Sequence, residues 1–553
     1  MNIDIEPKIF WYQNLSGGMN QTTDPKLLDN NESPLLKNVV LDRIGNWSNR
    51  KGTDLLGNVT AGSARVWGLG SYNKSDGTHT FYRICNRDLE EFNGTDTWTS
   101  IDADEWTASK KVNMVNFLDA IYFGCEDGTT ALAYSTGDTI TDVVPTIGGH
   151  HLAVNKESLA VGGNSIKPNV IFYSDATTDK FYDATGTCAA DADSEGAYTL
   201  TTTADTFEAY YAGAAYVYNT TIGAMAFITG FTSATTVTVS APTATWNDDT
   251  IYILLNYTTQ EGECTGITSY KERFISFDED NMYQWDPAST WSQKLPGFGC
   301  VNERTIREVS GNLIWVDREG IYLYDGSNRP IDISRKIKDP IDGYGLFDLI
   351  NPSNWGQLAA GSFNGKYYLS VGDLSTQTGA PASAITNAEF VFDMATGAWS
   401  LNSRDDEPMV YTTFINSSGD KSLYYGEKTA MAVYKVNTGT TDDDSAGTAT
   451  AYSLEARTSD YSFGDPTVEY RVSAFYVKYK SGGDVTVTYS SNGGSFSTLD
   501  TLSSSSTTTV EKILPTTECQ GFTHALKFTC SSTMMIEAIG FLAQPISFGK
   551  VST

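Results

Sequence analysis

Apolar and polar residues alternate along this chain in short runs, each closed by a turn residue, and apolar positions at helical spacing are almost missing. Alternation with a period of two is the mark of strands that bury one face. In order, the clearest runs are RICNRDLEEFNG with its turn at Asn93, TTALAYSTG at Ser135, NVIFYSDA at Asp175, RFISFDEDNMYQWDP at Asp286, LIWVDREGIYLYDG at Asp325, AEFVFDMATGAW at Asp393 and KTAMAVYKVNTG at Asn437. Successive turns are 42, 40, 111, 39, 68 and 44 residues apart, so four of the six steps lie near forty. That length holds four short strands, the content of one propeller blade, which cannot cover its apolar faces alone and must stack on neighbours around an axis. The expected fold class is therefore all-β, a β-propeller of about seven blades with six to eight compatible. An irregular β-sandwich or a set of unrelated hairpins would meet the same alternation.

The two long steps have causes in composition. From about Ala184 the chain turns rich in Thr, Ala and Gly, with strands expected at Thr236–Ser240 and Ile251–Leu255, and removing about seventy residues restores a step near forty. This block, 184–262, is expected to be a small β-barrel inserted between blades. Asp373–Asn387 reads as a second, loop-like insertion. Around these fall an N-terminal arm and first strands (1–55), propeller segments at 56–183 and 263–440, a charged linker at 441–450 and a C-terminal antiparallel β-sandwich at 451–553. The sandwich shows strands at Phe475–Lys480, Asp484–Tyr489, Ala525–Thr529 and Met535–Phe541, with turns at Ser481–Gly483 and Asn492–Gly494.

Asn14–Gly52 combines several local signals. Ser16, Gly17 and Gly18 form a loop. Ser33 before Pro34 predicts a helix start with about one turn over Leu35–Asn38. A strand at Val39–Leu41 and a turn over Asp42–Trp47 follow, and the stretch ends in Arg50, Lys51 and Gly52. Leu27, Leu28, Leu35, Leu36, Val39 and Val40 would leave a wide apolar stripe in water, so the segment is expected to dock on the rest of the protein.

The positions Gly17, Gly18, Asn20, Asn31, Glu32, Ser33, Asn38, Val39, Asp42, Gly45, Arg50 and Gly52 resemble the N-terminal motif of the nozzle and hub proteins of tailed-bacteriophage tails, the tail tubular protein B family. The resemblance covers about forty residues at motif level. It implies a structural virion protein and not an enzyme, made in the host cytoplasm. It also implies a homo-oligomeric ring, hexameric in that family, that contacts tail partners such as the adaptor and fibres. Viral DNA would pass through the lumen without specific binding. A propeller followed by a sandwich is the domain order the family has.

Composition narrows this further. A chain of 553 residues calls for two or three domains. The formal net charge of −30 opposes nucleic-acid wrapping through clustered Lys and Arg. Cys85, Cys125, Cys188, Cys264, Cys300, Cys519 and Cys530 are odd in number and lack a C-x-x-C pair, as expected of buried thiols in a reducing compartment. No run of eighteen apolar residues predicts a membrane span, and MNIDIEPKIFWYQN does not read as a signal peptide.

Candidate chemistry is sparse. His150 and His151 are adjacent, and neighbours on a strand point to opposite faces, so they are not expected to share a metal. Asp191–Gly196 matches the start of a calcium loop apart from Glu195, but its twelfth position, Thr202, cannot supply the bidentate carboxylate. Gly94–Trp98 and Ser491–Phe496 faintly resemble the Asp-box turn of sialidase-like propellers, without aspartate and glycine in register. Trp355, Trp399, Tyr367 and Tyr368 suit blade packing better than sugar stacking. No catalytic, cofactor-binding or metal-ligating residue is assigned, and no cofactor is expected. The acidity and the aromatics leave one alternative open, a propeller that binds or cleaves host surface glycans, although fold does not imply function.

Overall fold

The computed structural model describes residues 6–42, 45–59, 65–137, 139–189, 198–241, 245–288, 292–327, 329–339, 345–375 and 385–546. Six antiparallel four-stranded units follow one another in sequence, with inner strands Val66–Asn73, Val112–Phe117, His151–Asn155, Gly266–Tyr270, Arg307–Val309 and Ala359–Phe363. A seventh has Pro408–Ile415 as its inner strand and takes its outer strand, Gly52–Leu55, from the N-terminal region. We number these blades 1 to 7. Completing the last blade with a strand that leads directly into the first ties the two ends of the ring together by backbone hydrogen bonds.

All seven turn residues that mark the sequence repeat lie within two residues of the end of a blade's third strand, from Asn93 after Asp88–Phe92 to Asn437 in Val433–Thr438. The reason is local. The tight turn to the outer strand leaves backbone N–H groups unpaired, and a short polar side chain caps them: the Asn93 Oδ1 accepts from the N–H groups of Thr95, Asp96 and Thr97 at 2.9, 3.1 and 3.0 Å.

The inserted unit is a six-stranded sheet in the order Ala184–Thr187, Thr250–Leu254, Tyr216–Asn219, Ala224–Ser233, Thr236–Val239, Thr199–Thr201. An antiparallel bridge between Cys188 and Thr202 joins its two edges, which closes it as a barrel. Its core has Trp246, Val217, Ile251 and Ile253 at the centre. Its position differs from expectation: it interrupts blade 3, between the third strand Val170–Tyr173 and the fourth strand Tyr257–Thr259, and does not lie between blades. Residues 257–259 thus return to the propeller. The chain leaves and re-enters at one place, where Asp183 N–H donates to the Ile253 carbonyl at 2.8 Å, so the host blade is hardly perturbed.

The C-terminal region is a sandwich, but it is built from both ends of the chain. One sheet runs Ser505–Ile513, Tyr470–Ser481, Met534–Pro545, Trp47–Asn49, Val39–Leu41, with Lys8–Tyr12 also on Met534–Pro545. The facing sheet, Leu35–Lys37, Leu454–Arg457, His524–Cys530, Val485–Ser491, Ser497–Leu502, continues from the outer strand of blade 6 through a parallel pairing of Leu401 with Lys37. One apolar core therefore joins blades 5 and 6 to the sandwich, with Leu36, Val39, Trp47, Trp399 and Phe528 inside it.

Two local expectations are corrected here. Leu35–Lys37 is a strand and not a helical turn: Leu35, Leu36 and Lys37 pair with Arg457, Ala456 and Glu455, and the Ser33 hydroxyl donates to the Arg457 carbonyl at 2.5 Å. Ladder pairing with a distant strand outweighs a capping signal worth about 1 kcal/mol. Residues 441–450 are not a free linker, since Asp442–Asp443 pairs with Ala449–Thr450 and Asp442 lies parallel to Thr53 at the edge of blade 7. The apolar stripe docks as expected for Leu28, Leu35, Leu36 and Val39, whereas Leu27 stays 76% exposed.

The motif residues of the N-terminal segment form the junction. Gly52 abuts the next strand so closely that a Cβ there would sit 1.6 Å from the Thr441 carbonyl oxygen. Gly18 combines φ +78° with Ala398 at 2.5 Å from a would-be Cβ. Arg50 is buried and donates to Asp442 Oδ1 at 2.7 Å and Oδ2 at 2.5 Å, to Asn38 Oδ1 at 2.9 Å and to the Ser403 carbonyl at 3.0 Å. Its guanidinium also lies 3.8 Å from the Tyr452 ring centroid. One side chain thus holds blade 6, the edge of blade 7 and the sandwich together.

Candidate functional site

The inner strands of the seven blades surround an axial cavity of about 450 Å³. Inner strands pack side by side around the axis, so their inward side chains line it: Leu69, Asn116, Leu152, Thr268, Arg307 and Thr412 come from six different blades.

Where the inner strands begin, a single turn before blade 5 reaches across the axis. Its sequence, NERTIR from Asn302 to Arg307, forms a short 3-10 helix at Glu303–Thr305 capped by Asn302, whose Oδ1 accepts from the Arg304 N–H at 3.1 Å. The Asn302 amide donates to the carbonyls of Gly356 and Leu358 at 3.0 and 2.9 Å. Arg304, 3% exposed, donates to the carbonyls of Trp67 at 2.5 Å and Met409 at 3.2 Å, so it spans from blade 5 to blades 1 and 7 and closes this mouth of the channel. Its Nε is buried without a partner among the described residues. Burial lowers the Arg304 pKa to about 10. The same cause lowers that of Arg307, which is half-buried, lines the cavity and donates to the Ile306 carbonyl at 2.7 Å.

Other ionisable groups gather beside this turn. Lys111 pairs with Glu126 at 3.1 Å and donates to the Gly356 carbonyl at 2.5 Å. Burial, and then the nearby Arg304, lowers the lysine pKa. Burial opposes the charged form of Glu126, yet Lys111 holds its carboxyl below the usual range. His151 Nδ1 is bonded to Glu303, and the ring of His150 lies 3.7 Å from that of His151. The two rings are neighbours because His150 precedes the strand that starts at His151, so strand alternation does not separate them. Burial, and then His151, pushes the His150 pKa well below its ordinary value, against a backbone hydrogen bond with Gly163 that raises it. Among the described residues no group of three His, Cys, Asp or Glu side chains is placed to hold a metal. The arrangement can fix a small polar ligand by charge and hydrogen bonds.

The remaining sequence candidates fall elsewhere. Asp191–Gly196 lies outside the described residues, and Thr202 is buried at the barrel seam. Trp399, Tyr367 and Tyr368 are buried in blade 6, and Trp355 packs against Phe347 at 5.9 Å, so these aromatics are packing residues. Trp98 of the Gly94–Trp98 turn is buried in blade 1, and Ser491–Phe496 belongs to the sandwich. All seven cysteines are buried. No helix among the described residues is long and apolar enough to cross a membrane. Arg304 and Arg307 were missed by sequence reasoning, because two arginines three apart resemble any solvated strand entry until the ring brings them to the axis.

No protein-family model and no curated protein matches this chain. Solved structures similar to it include the computationally designed Ika8 protein, at 11% identity and a TM-score of 0.34 over 69% of this chain and 99% of that one. A streptogramin B lyase gives 11% and 0.37 over 69% and 96%. YCF48 from Cyanidioschyzon merolae gives 9% and 0.35 over 69% and 98%. The class of the protein follows from its own sheet order: an all-β chain with a seven-bladed propeller, a barrel inserted in one blade and a sandwich assembled from both termini.

Proposed function

We propose that this chain is a structural subunit of a tailed-bacteriophage tail, a nozzle or hub ring through which DNA leaves and to which adaptor and fibre proteins attach. The observation that carries the reading is the role of the N-terminal motif. The residues that resemble the nozzle family, among them Gly18, Asn38, Arg50 and Gly52, are the residues that lock propeller to sandwich. A rigid joint between two domains is what a load-bearing ring component requires. The net charge of −30 per chain multiplies in a ring, and an acidic lumen repels phosphates over about one Debye length, roughly 8 Å at physiological salt. Electron microscopy of the full-length protein at high concentration is expected to show closed rings, hexameric by the resemblance, with an acidic lumen. A protein that stays monomeric, or one that releases sugars from host surface glycans at enzymatic rates, overturns the reading.

A further inference from the structure

We propose that the axial cavity of the propeller is a binding site for a small oxyanion, a carboxylate or phosphate group held by Arg307 with Arg304 behind it. The inference does not depend on ring assembly, since the cavity lies within one chain.

The argument begins with a charge imbalance. In a chain of net charge −30, two guanidinium groups stand at the propeller axis with the carboxylates beside them already engaged: Glu303 with His151 and Glu126 with Lys111. Glu303 acts on both arginines at longer range, but among the described residues neither Arg304 nor Arg307 forms an ion pair. The permanent charges of the cluster are thus three cations, Lys111, Arg304 and Arg307, against the two carboxylates Glu126 and Glu303. Buried charges are ordinarily paired, because desolvation without a partner costs several kcal/mol. Three backbone carbonyls, those of Met409, Trp67 and Val112, accept from the terminal nitrogens of Arg304, while among the described residues its Nε remains without an acceptor. Among the described residues the Arg307 side chain donates only to the carbonyl before it, so most of its five donors are left for a ligand in the cavity it lines.

The surroundings suit a ligand of that charge. Thr268 and Thr412 add hydroxyls from blades 4 and 7, and Leu69 and Leu152 supply apolar wall. A volume of about 450 Å³ lies in the range of small-molecule sites and is far too small for a duplex. A planar guanidinium pairs with carboxylate or phosphate oxygens in two parallel hydrogen bonds, which fits an oxyanion better than a halide.

The test is calorimetric titration of the full-length protein with inorganic phosphate and, separately, with succinate, in chloride buffer of constant ionic strength. Saturable binding of about one equivalent per chain, at about millimolar affinity or tighter, is expected for at least one probe. The probe that binds distinguishes a tetrahedral anion from a carboxylate. Arg307→Gln is expected to weaken that binding at least about tenfold, since a charge-assisted pair is lost. Arg307→Lys is expected to retain part of it, and Arg471→Gln on the sandwich surface to leave it unchanged. No saturable heat with either probe on the unmodified protein overturns the proposal, as does equal affinity in folded Arg307→Gln.

Discussion

The inserted barrel and the C-terminal sandwich are both small β units attached to the same propeller, and they are attached in opposite ways. The barrel is one continuous stretch with a core of its own, entering and leaving blade 3 at a single point and resting on blades 2 and 3 through one face, where Tyr218, Met225 and Leu254 are buried. The sandwich takes strands from residues 8–49 as well as from 454–545, shares a sheet with blade 6 and shares a core with blades 5 and 6. Contiguity makes a unit removable, whereas interleaving makes it part of the fold. The barrel is therefore an accessory on the blade, and the sandwich is half of a single cooperative structure.

The sharpest way to break this comparison is by deletion. Removing residues before Gly52 takes strands from both sandwich sheets together with Arg50, and no soluble folded protein is expected. Joining Asp183 to Leu255 through a short Gly-Ser linker is expected to leave a soluble propeller and sandwich with a cooperative melt by circular dichroism. Soluble, folded protein after the first deletion, or aggregation after the second, would reverse the assignment of the two units.

A smaller effect is expected at the clasp. Arg50→Met leaves Asp442 buried and uncompensated, at a cost of about 3–5 kcal/mol, and Arg50→Met with Asp442→Asn is expected to recover part of it. Chemical denaturation of the three proteins gives the coupling. No recovery would mean that the carbonyl and Tyr452 contacts of Arg50 matter more than the ion pair.

Titration separates the two units again. His524 is buried in the sandwich, bonded to the Tyr489 hydroxyl at 2.7 Å and the Gly521 carbonyl at 3.0 Å, and burial pushes its pKa from 6.5 down to about 4. The folded state therefore binds fewer protons than the unfolded one. Its contribution is fully present above pH 6.5 and is lost as pH falls toward about 4, a difference of about 3 kcal/mol. The barrel holds none of the four histidines, so barrel-specific probes should not follow this loss. Melting against pH for the natural protein and His524→Asn checks it, with the slope expected to lessen in the variant and the part due to buried His150 to remain.

The last effect has the opposite sign. Asp406, at the start of blade 7, is pushed up to about 7 by burial and then by the Glu427 carboxylate. Here the folded state holds the extra proton, so the stability that this group contributes is present below about pH 3.8 and is lost as pH rises toward about 7. Asp406→Asn should flatten that part of the profile and raise the melting temperature slightly near neutral pH.

Much of the architecture was legible in the residues, for reasons that are local. Asn93, Ser135, Asp175, Asp286, Asp325, Asp393 and Asn437 mark third-strand ends because a tight turn needs a small polar side chain wherever it occurs. The Thr- and Ala-rich block from Ala184 announced the barrel because a separate core brings its own composition. The helical turn at Leu35–Asn38 misled because Ser33 and Pro34 are signals a helix would use, and only the strand Leu454–Arg457, more than four hundred residues away, decides otherwise.

Strand alternation, repeat length, the insertion and the acidity were determined by the sequence alone, since each rests on neighbours within a few residues or on composition. The tertiary structure alone decided that Gly52–Leu55 closes the ring, that the sandwich is made from both termini, that Arg50 meets Asp442, and that Arg304 and Arg307 stand at the axis. These are pairings between residues hundreds of positions apart, and no local pattern carries the partner's position. They exist only once closure of the ring brings seven blades around one line.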